Sequence, residues 1–483
     1  MMKLRELLNG LDILETNAEL DSDIREVRYD SRLVESGDLF IAVTGAETDG
    51  HKYIPMAREK GAACVLCERA PEDGAPFVRV ADSRRALVGG NRFDHPAREM
   101  TMIGITGTSG KTTSTYLIKS ILEQKAGAKV GLIGTIQNMI GDRVLHTERT
   151  TPESFELQKL LREMADAGCT HVVMEVSSHA LMLDRVYGIP FAVGIYTNLS
   201  RDHLDFHKTM EAYCDAKALL MRQCDVGIYN ADDPWAERLM AHAACPRRFS
   251  YSVNGQADLM AKNVALEPGC VDFDAEADTE WCHVHVGIPA LFTVYNTLDA
   301  MACCWNLGVP LAECADALAK NHGVKGRMEI IPTPGTGYTV LNDYAHKPDA
   351  LEKVLQSAKA FAKGRVVALF GCGGDRDKTK RPVMGGIAAR LADFVIVTSD
   401  NPRTEKPEAI IDDILVGLKG YDTPYAVIPD RVAAIHYAMD HAQPGDVIVL
   451  AGKGHEDYQE IDHKHYPMDE RVIVAEHLKK TQK

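Results

Sequence analysis

Gly104-Ile-Thr-Gly-Thr-Ser-Gly-Lys-Thr-Thr113 is the stretch on which the reading of this chain turns. It continues the apolar residues 102–105, so an extended run ends in a glycine-rich turn and Lys-Thr-Thr opens a helix. Such a turn aims backbone N–H groups and a helix N-terminus at a polyphosphate, while a lysine neutralises charge and a threonine hydroxyl holds Mg²⁺. Lys111 and Thr112 stand at those two positions, and Gly107, Thr108, Ser109, Gly110 and Thr113 complete the loop. The usual spacing, G-x-x-x-x-G-K-[ST], wants glycine at 105, where this chain has Ile105. The stretch is read as a nucleoside-triphosphate site with one departure from the common pattern.

Outward from the loop, continuously apolar, β-branched runs at 129–133, 171–176, 192–197 and 226–229 alternate with helix-length segments. That pattern suits a parallel sheet covered by helices on both faces. A polar, weakly periodic insertion at 255–281 precedes a helix expected over 296–307. After the linker Pro332-Thr-Pro-Gly-Thr-Gly337, alternation resumes with strands expected at 365–370, 394–399, 426–428 and 447–451. This second α/β set carries its own glycine-rich turn, Gly371-Cys-Gly-Gly-Asp375. At about 150 residues per domain, 483 residues fit three domains. The boundaries expected are 1–97, 98–330 and 331–483.

Composition narrows the class. The hydrophobic share of 45% is that of a globular chain, and no apolar run approaches the ~18 residues of a membrane span. Charges in Met1-Met-Lys-Leu-Arg-Glu6 argue against a signal peptide, so a cytoplasmic setting is expected. The net charge of −15 argues against nucleic acid as a partner. Twelve cysteines in a long chain of this kind are expected as thiols. Cys64-Val-Leu-Cys67 has metal-like spacing without a second pair, and is read as a buried strand, as Cys303-Cys304 is read as part of an apolar helix.

In parallel sheets ligands gather at the carboxyl ends of strands, and the polar motifs of this chain fall there. Glu175, ending one strand in Glu175-Val-Ser-Ser-His179, is placed either to approach a metal held by Thr112 or to cap a helix N-terminus. Thr197-Asn-Leu-Ser-Arg-Asp-His-Leu-Asp-Phe-His207 follows another strand, and His203 there is either a metal ligand or part of a hydrogen-bonded loop. A zinc set of His203, Asp205 and His207 is conceivable, although nothing in the spacing fixes tetrahedral geometry. Lys217, on an amphipathic helix spanning 210–222, reads by itself as an ordinary helix lysine.

Taken together, Thr106-Gly-Thr-Ser-Gly-Lys-Thr-Thr113, Glu175-Val-Ser-Ser-His179, Thr197-Asn-Leu-Ser-Arg-Asp-His203, Asn296-Thr-Leu-Asp-Ala300, Gly326-Arg-Met328 and Asp343-Tyr-Ala-His346 resemble the Mur ligases, ATP-dependent amide-forming enzymes of cell-wall precursor synthesis. Tyr29-Asp-Ser-Arg32, Gly37-Asp-Leu-Phe40 and Phe370-Gly-Cys-Gly-Gly-Asp-Arg-Asp377 point to the subgroup that adds the third amino acid. The resemblance spans essentially the whole chain. It implies a small N-terminal α/β domain that binds UDP-MurNAc, a central P-loop ATPase domain with a mostly parallel sheet, and a C-terminal Rossmann-like domain. It also implies that ATP phosphorylates the D-Glu γ-carboxylate of UDP-MurNAc-L-Ala-D-Glu before the incoming amine attacks. Glu175 and His203 match Mg²⁺ ligands, and Lys217 matches a lysine that is carbamylated, its CO₂ adduct being an anion able to hold a second metal. Asn296, Arg327, Asp343 and His346 match nucleotide contacts; Tyr29, Ser31, Thr150, Thr151, Ser177 and Arg185 match contacts to the UDP-MurNAc-dipeptide. Ser109 replaces the common Asn, and Leu183 stands where a Gln is usual. A monomer is expected.

The loop Ser399-Asp-Asn-Pro-Arg-Thr-Glu405 follows an apolar strand, and Arg403 is a planar fork suited to a carboxylate, with Arg381 expected to supply a second; the alternative for Arg403 is an ion pair within the protein surface. The Asp400-Asn401-Pro402-Arg403 motif resembles that of the meso-2,6-diaminopimelate-adding subgroup, with Gly452 and Glu456 as further contacts. Lysine lacks the distal carboxylate and would leave a buried Arg unpaired, a penalty of about 2–5 kcal/mol. The alternatives kept open are a lysine-adding ligase, a folylpolyglutamate synthetase-like ligase and a nucleotide-switched binding protein.

Overall fold

The computed structural model describes residues 1–45, 48–86, 88–267, 269–320 and 323–481. Its contacts divide the chain into two compact units: Met1–Asp258 with Asp299–Val309, and Leu259–Leu298 with Pro310 onward. The fold is α/β, with large, mainly parallel sheets, as expected. Among the described residues, no helix is long and apolar enough to cross a membrane.

In the first unit Thr101–Thr106 is a central strand, parallel to His171–Glu175 on one side and Phe191–Tyr196 on the other. Val130–Ile133 extends the sheet beyond His171–Glu175, and Cys224–Asn230 and Arg247–Ser252 extend it beyond Phe191–Tyr196. Asn138–Ile140 and Arg143–Leu145 add an antiparallel margin. Glu175 pairs with Ile105 and Tyr196 with Thr106, so three strands finish level and deliver their polar continuations to one edge. The helix Lys111–Lys125 buries Leu117, Ile118, Ile121 and Leu122, an i, i+1, i+4, i+5 stripe.

Residues before the central strand build a separate five-stranded sheet in the order Ile13–Thr16, Phe77–Val80, Cys64–Cys67, Leu39–Ile41, Val27–Arg28. The period-2 alternation of the strand Cys64–Cys67 sends Cys64 and Leu66 into one core cluster and Val65 and Cys67 into another. The C-x-x-C spacing is thus core packing.

The second unit centres on a sheet ordered Glu329–Ile331, Thr339–Asp343, Val447–Ala451, Val366–Phe370, Phe394–Val397, Tyr425–Val427. All neighbours are parallel except the first pair. Thr339–Asp343 lies outside the expected strands, being short and close behind the Pro-Gly linker. The polar insertion holds two antiparallel strands, Leu259–Glu267 and Cys270–Ala277, and a third, Trp281–Val286, starts at its end and pairs with the second. Its averaged polarity conceals strict alternation, in which Val271, Phe273 and Ala275 are buried between outward Asp272, Asp274 and Glu276. The expected helix at 296–307 spans Leu291–Asn306, and the helix expected over 210–222 ends at Ala218, passing into a tighter turn at Leu220–Arg222.

Candidate active site

The loop leaves the central strand through Gly107 at φ 151° and enters its helix through Gly110 at φ 93°. A Cβ on Gly107 would stand 1.8 Å from Thr197 Oγ1, so only glycine lets the turn lie against the neighbouring strand end. The reversal occurs two residues beyond position 105. Ile105 therefore stays in the strand, fully buried and paired on both sides, and a glycine there has no task. Thr197 Oγ1 donates to the Ser109 carbonyl at 2.7 Å, and Asn198 exchanges two hydrogen bonds of 3.1 Å with the Ser109 backbone. Lys111 Nζ donates to the carbonyls of Gly107 and Thr108 at 2.8 and 3.2 Å, curled over the loop that would cradle phosphate.

Glu175 is the junction of the site. It is 1% exposed. Its Oε1 accepts from Thr112 Oγ1 and Thr135 N, both at 2.9 Å, and its Oε2 from Thr135 Oγ1 at 3.0 Å. Thr135 Oγ1 also meets Thr150 Oγ1 at 3.0 Å, and Thr151 Oγ1 donates to the Glu175 carbonyl at 2.8 Å. A continuous hydrogen-bonded line thus joins the P-loop threonine to the two threonines expected to touch the peptide substrate. Among the described residues no cationic side chain pairs with this buried carboxylate. A buried negative charge without a counter-charge, beside a hydroxyl, suits a hard divalent cation such as Mg²⁺.

Lys217 is 1% exposed, with Nζ 4.5 Å from the centre of the Tyr213 ring. Burial first, and then the Lys111 ammonium, drives its pKa well below the ordinary lysine value. It is not the surface lysine that its helix position suggests. Tyr213 OH lies 3.3 Å from Thr108 Oγ1, and its ring stacks on His207 and meets His203 edge-on. His203 sits in a left-handed conformation (φ 52°), with Nε2 3.3 Å from Asp202. His207 Nε2 is bonded to Ser178 Oγ at 2.9 Å, and burial, with the neighbouring His179, lowers its pKa to about 4. His203, Asp205 and His207 do not converge on one point. Among the described residues the single group of three potential metal donors is Cys270, Asp272 and His285.

Arg185 donates to the Thr151 carbonyl at 3.2 Å and pairs with Glu153 at 2.7 Å. Arg149 and Arg84 approach the same Glu153 at 2.6 and 3.8 Å. Tyr29 OH donates to Glu156 at 2.7 Å, on the same helix start. Ser177 Oγ caps the helix Ser178–Met182, and Ser31 is buried with its hydroxyl 3.4 Å from the Met56 sulfur.

In the second unit Asp343 ends its strand, accepts from Met328 N at 2.8 Å and is pushed up to about 6 by burial against the pull of Arg327. The Arg327 guanidinium lies over the Tyr344 ring at 5.3 Å. His346 Nδ1 meets the Tyr344 carbonyl at 2.8 Å, and burial holds its pKa down to about 4. Asn296 is buried on the helix Leu291–Asn306.

Around the loop expected to meet the amino acid, Asn401 Nδ2 donates to Glu456 at 2.9 Å, and the fully buried Lys453 bridges Glu456 and Asn401 Oδ1. Gly452, at φ 117°, brings its backbone so close that a Cβ would stand 2.5 Å from Asp400 Oδ2. Gly374 N donates to the Asn401 carbonyl, joining the glycine turn to this loop just before Pro402. Arg403 Nη1 donates to the Gly374 carbonyl at 2.9 Å, and its Nε pairs with Glu460 at 2.8 Å. The expectation for Arg381 is corrected. It is fully buried and bonded to Glu405 and Asp413, with a further donation to the Gly373 carbonyl, so it braces the loop instead of offering a second fork.

Comparison with known proteins fits this arrangement. Residues 105–304 match the Mur ligase middle domain, 326–454 the Mur ligase glutamate ligase domain and 23–91 the Mur ligase family catalytic domain. The chain belongs to the Mur ligase family. A relative from Clostridium acetobutylicum, UDP-N-acetylmuramoyl-L-alanyl-D-glutamate–2,6-diaminopimelate ligase 1, is 46% identical over 483 residues, covering 99% of each chain. A Clostridium botulinum protein of the corresponding name is 45% identical over 469 residues, covering 95% of this chain and 96% of its own. A solved structure of a UDP-N-acetylmuramoyl-L-alanyl-D-glutamate–2,6-diaminopimelate ligase superposes with a TM-score of 0.75 at 32% identity, covering 100% of this chain and 99% of that one.

Within this Mur ligase the first unit brings together Lys111, Thr112, Glu175, Thr150, Thr151 and Ser177, with Lys217 and His203 on the Tyr213 side of the loop. Thr135, Glu153, Lys453 and Glu460 join these sites without having been expected there. Thr135 sits two residues past an expected strand end, where a polar residue invites attention. The others acquire a role only through partners that three-dimensional packing supplies.

Proposed function

We propose that this Mur ligase joins meso-2,6-diaminopimelate to UDP-MurNAc-L-Ala-D-Glu, consuming ATP in peptidoglycan precursor synthesis. One oxygen of the D-Glu γ-carboxylate attacks the γ-phosphorus and ADP leaves. The amine lone pair then attacks the acyl carbon, the tetrahedral adduct expels inorganic phosphate, and the amine proton passes to solvent. Activation is needed because a free carboxylate has no adequate leaving group. Lys111 and the loop N–H groups would hold the phosphates and stabilise charge on the transferring group. Thr112, Glu175, His203 and Lys217 as its carbamate would hold Mg²⁺, which when bound offsets the phosphate charge. Burial pushes the Lys217 amine toward its neutral form, the form that adds CO₂, which supports the carbamate.

Asn296, Arg327, Asp343 and His346 are proposed to contact ATP, and Tyr29, Ser31, Thr150, Thr151, Ser177 and Arg185 the nucleotide-linked peptide. The blocks 1–97, 98–330 and 331–483 are proposed as the functional domains, and the separate sheet and cores of the first support its independence. Dependence on two nucleotide substrates supports a cytoplasmic reaction.

The choice of amino acid rests on Arg403, largely buried after the end of its strand and paired with Glu460, in the same loop as Asn401, which bonds Glu456. An amino-acid panel read by phosphate release tests it: turnover with meso-diaminopimelate far above L-lysine is expected, and equal turnover overturns it. For the modification, Lys217→Ala is expected to be inactive and to regain turnover with short carboxylic acids. Full activity without them removes Lys217 from the reaction.

A further inference from the structure

We propose that Cys270, Asp272 and His285, none of them assigned to phosphate transfer, form a zinc-binding site on the outer face of the three-stranded insertion. On the strand Cys270–Ala277, Cys270 and Asp272 are two residues apart and therefore share a face, opposite to buried Val271 and Phe273. The antiparallel register places His285 directly across from Asp272 and His283 across from Asp274. Cys270 Sγ is 3.5 Å from Asp272 Oδ2, His285 Nδ1 is 2.9 Å from Asp272 Oδ1, and the three donor atoms lie within 4.8 Å of one another. Bonds of about 2.0–2.3 Å to one tetrahedral ion need donors about 3.3–3.8 Å apart. Small rotations of these partly exposed side chains reach that spacing.

A second set of contacts orients the face. Asn263 has a left-handed backbone (φ 50°) at the register shift of the strand Leu259–Glu267, and donates to Asp274 Oδ2 at 2.8 Å. Asp274 Oδ1 lies 3.1 Å from His283 Nδ1, so when that nitrogen carries the proton, Nε2 presents a lone pair 3.3 Å from Asp272 Oδ1. A carboxylate that sets a histidine tautomer beside a metal ligand is a usual outer-shell arrangement, and His283 is positioned as the residue that completes or borders the site. A thiol with imidazole and one carboxylate selects zinc over Mg²⁺, which takes oxygen donors. On binding, the S–H bond is exchanged for S–Zn and the proton leaves to solvent.

The cysteine inventory supplies the test. Cys270 is half-buried, whereas the other eleven cysteines are buried. Alkylation by iodoacetamide of the full chain, stripped with a chelator and mapped by peptide mass, is expected to mark Cys270 first. One equivalent of Zn²⁺ should slow that labelling at least 10-fold, Mg²⁺ should not, and chelator should restore it. His285→Ala and Asp272→Asn, both surface changes, are expected to lose the protection. A dye displacement assay should count one zinc per chain in the native protein and none in Cys270→Ser. Labelling that ignores several equivalents of zinc, or protection retained in His285→Ala, overturns the site.

Discussion

Glu175 and Arg403 show two opposite states of a charged side chain. Glu175 is buried with hydroxyl and amide donors and, among the described residues, without a cationic partner. Glu175→Gln keeps an acceptor for Thr112 and Thr135 while removing the charge. The expected result is folding stability within about 1 kcal/mol of the parent and kcat lower by about 100-fold or more, read from ADP release across a Mg²⁺ titration. Arg403, in contrast, already has a partner in Glu460. Its motif alone suggests an unpaired guanidinium whenever lysine occupies the site. With Glu460 beside it, the cost of excluding the distal carboxylate is smaller than the unpaired case. Glu460→Gln is expected to lower the KM for diaminopimelate about 5-fold at unchanged kcat, equivalent to the ~1 kcal/mol of a partly exposed ion pair. A KM that rises instead would make Glu460 an aid to binding. Arg403 was legible because its motif is contiguous; Glu460 was not, since its place beside Arg403 depends on a backbone pairing between residues 403 and 461.

The P-loop and its strand are the element most fully written in local sequence. Apolar run, glycines and Lys-Thr-Thr all lie within a dozen residues, and each acts through its own backbone. Gly107→Ala probes this directly, since it meets both an unfavourable φ and Thr197 Oγ1 at 1.8 Å. Loss of at least 100-fold in ATP affinity is expected, measured by nucleotide fluorescence, because the loop must shift to admit a methyl group. An unchanged affinity would mean that the loop relaxes freely. Parallel strands are legible as long apolar runs, where burial on both faces removes the need for alternation. The strands of the insertion at 255–281 are not, because they are half-solvated and their polar residues dilute the hydrophobic signal. Thr339–Asp343 escapes notice for a different reason: five residues behind a Pro-Gly segment carry too short a pattern to separate a strand from a loop.

Across the molecule, two units each organise polar loops at the carboxyl ends of their own parallel strands. Such a design stores cost as well as function, and Lys217 shows where. Its buried amine has a pKa far below that of the unfolded chain. Between those two values the unfolded state binds the extra proton, so stability rises with pH through that window and is diminished toward its acid side. In protein freed of bicarbonate and Mg²⁺, Lys217→Met is expected to be inactive yet more stable at pH 7, where the buried amine of the parent opposes protonation and so costs stability. Urea unfolding at pH 7 and 9 checks it, the difference between the two proteins shrinking at the higher pH. Equal stability at both would show that the amine is solvated. From its sequence alone this chain determined the P-loop turn, two sets of parallel strands and the order of the polar motifs that follow them, because these depend on near neighbours and on periodicity. Tertiary structure alone decided that Lys217 is buried, that Arg381 braces a loop, that Arg403 is already paired and that Cys270 meets His285. Each of those states depends on which distant residues approach, and desolvation and charge pairing exist only once they have done so.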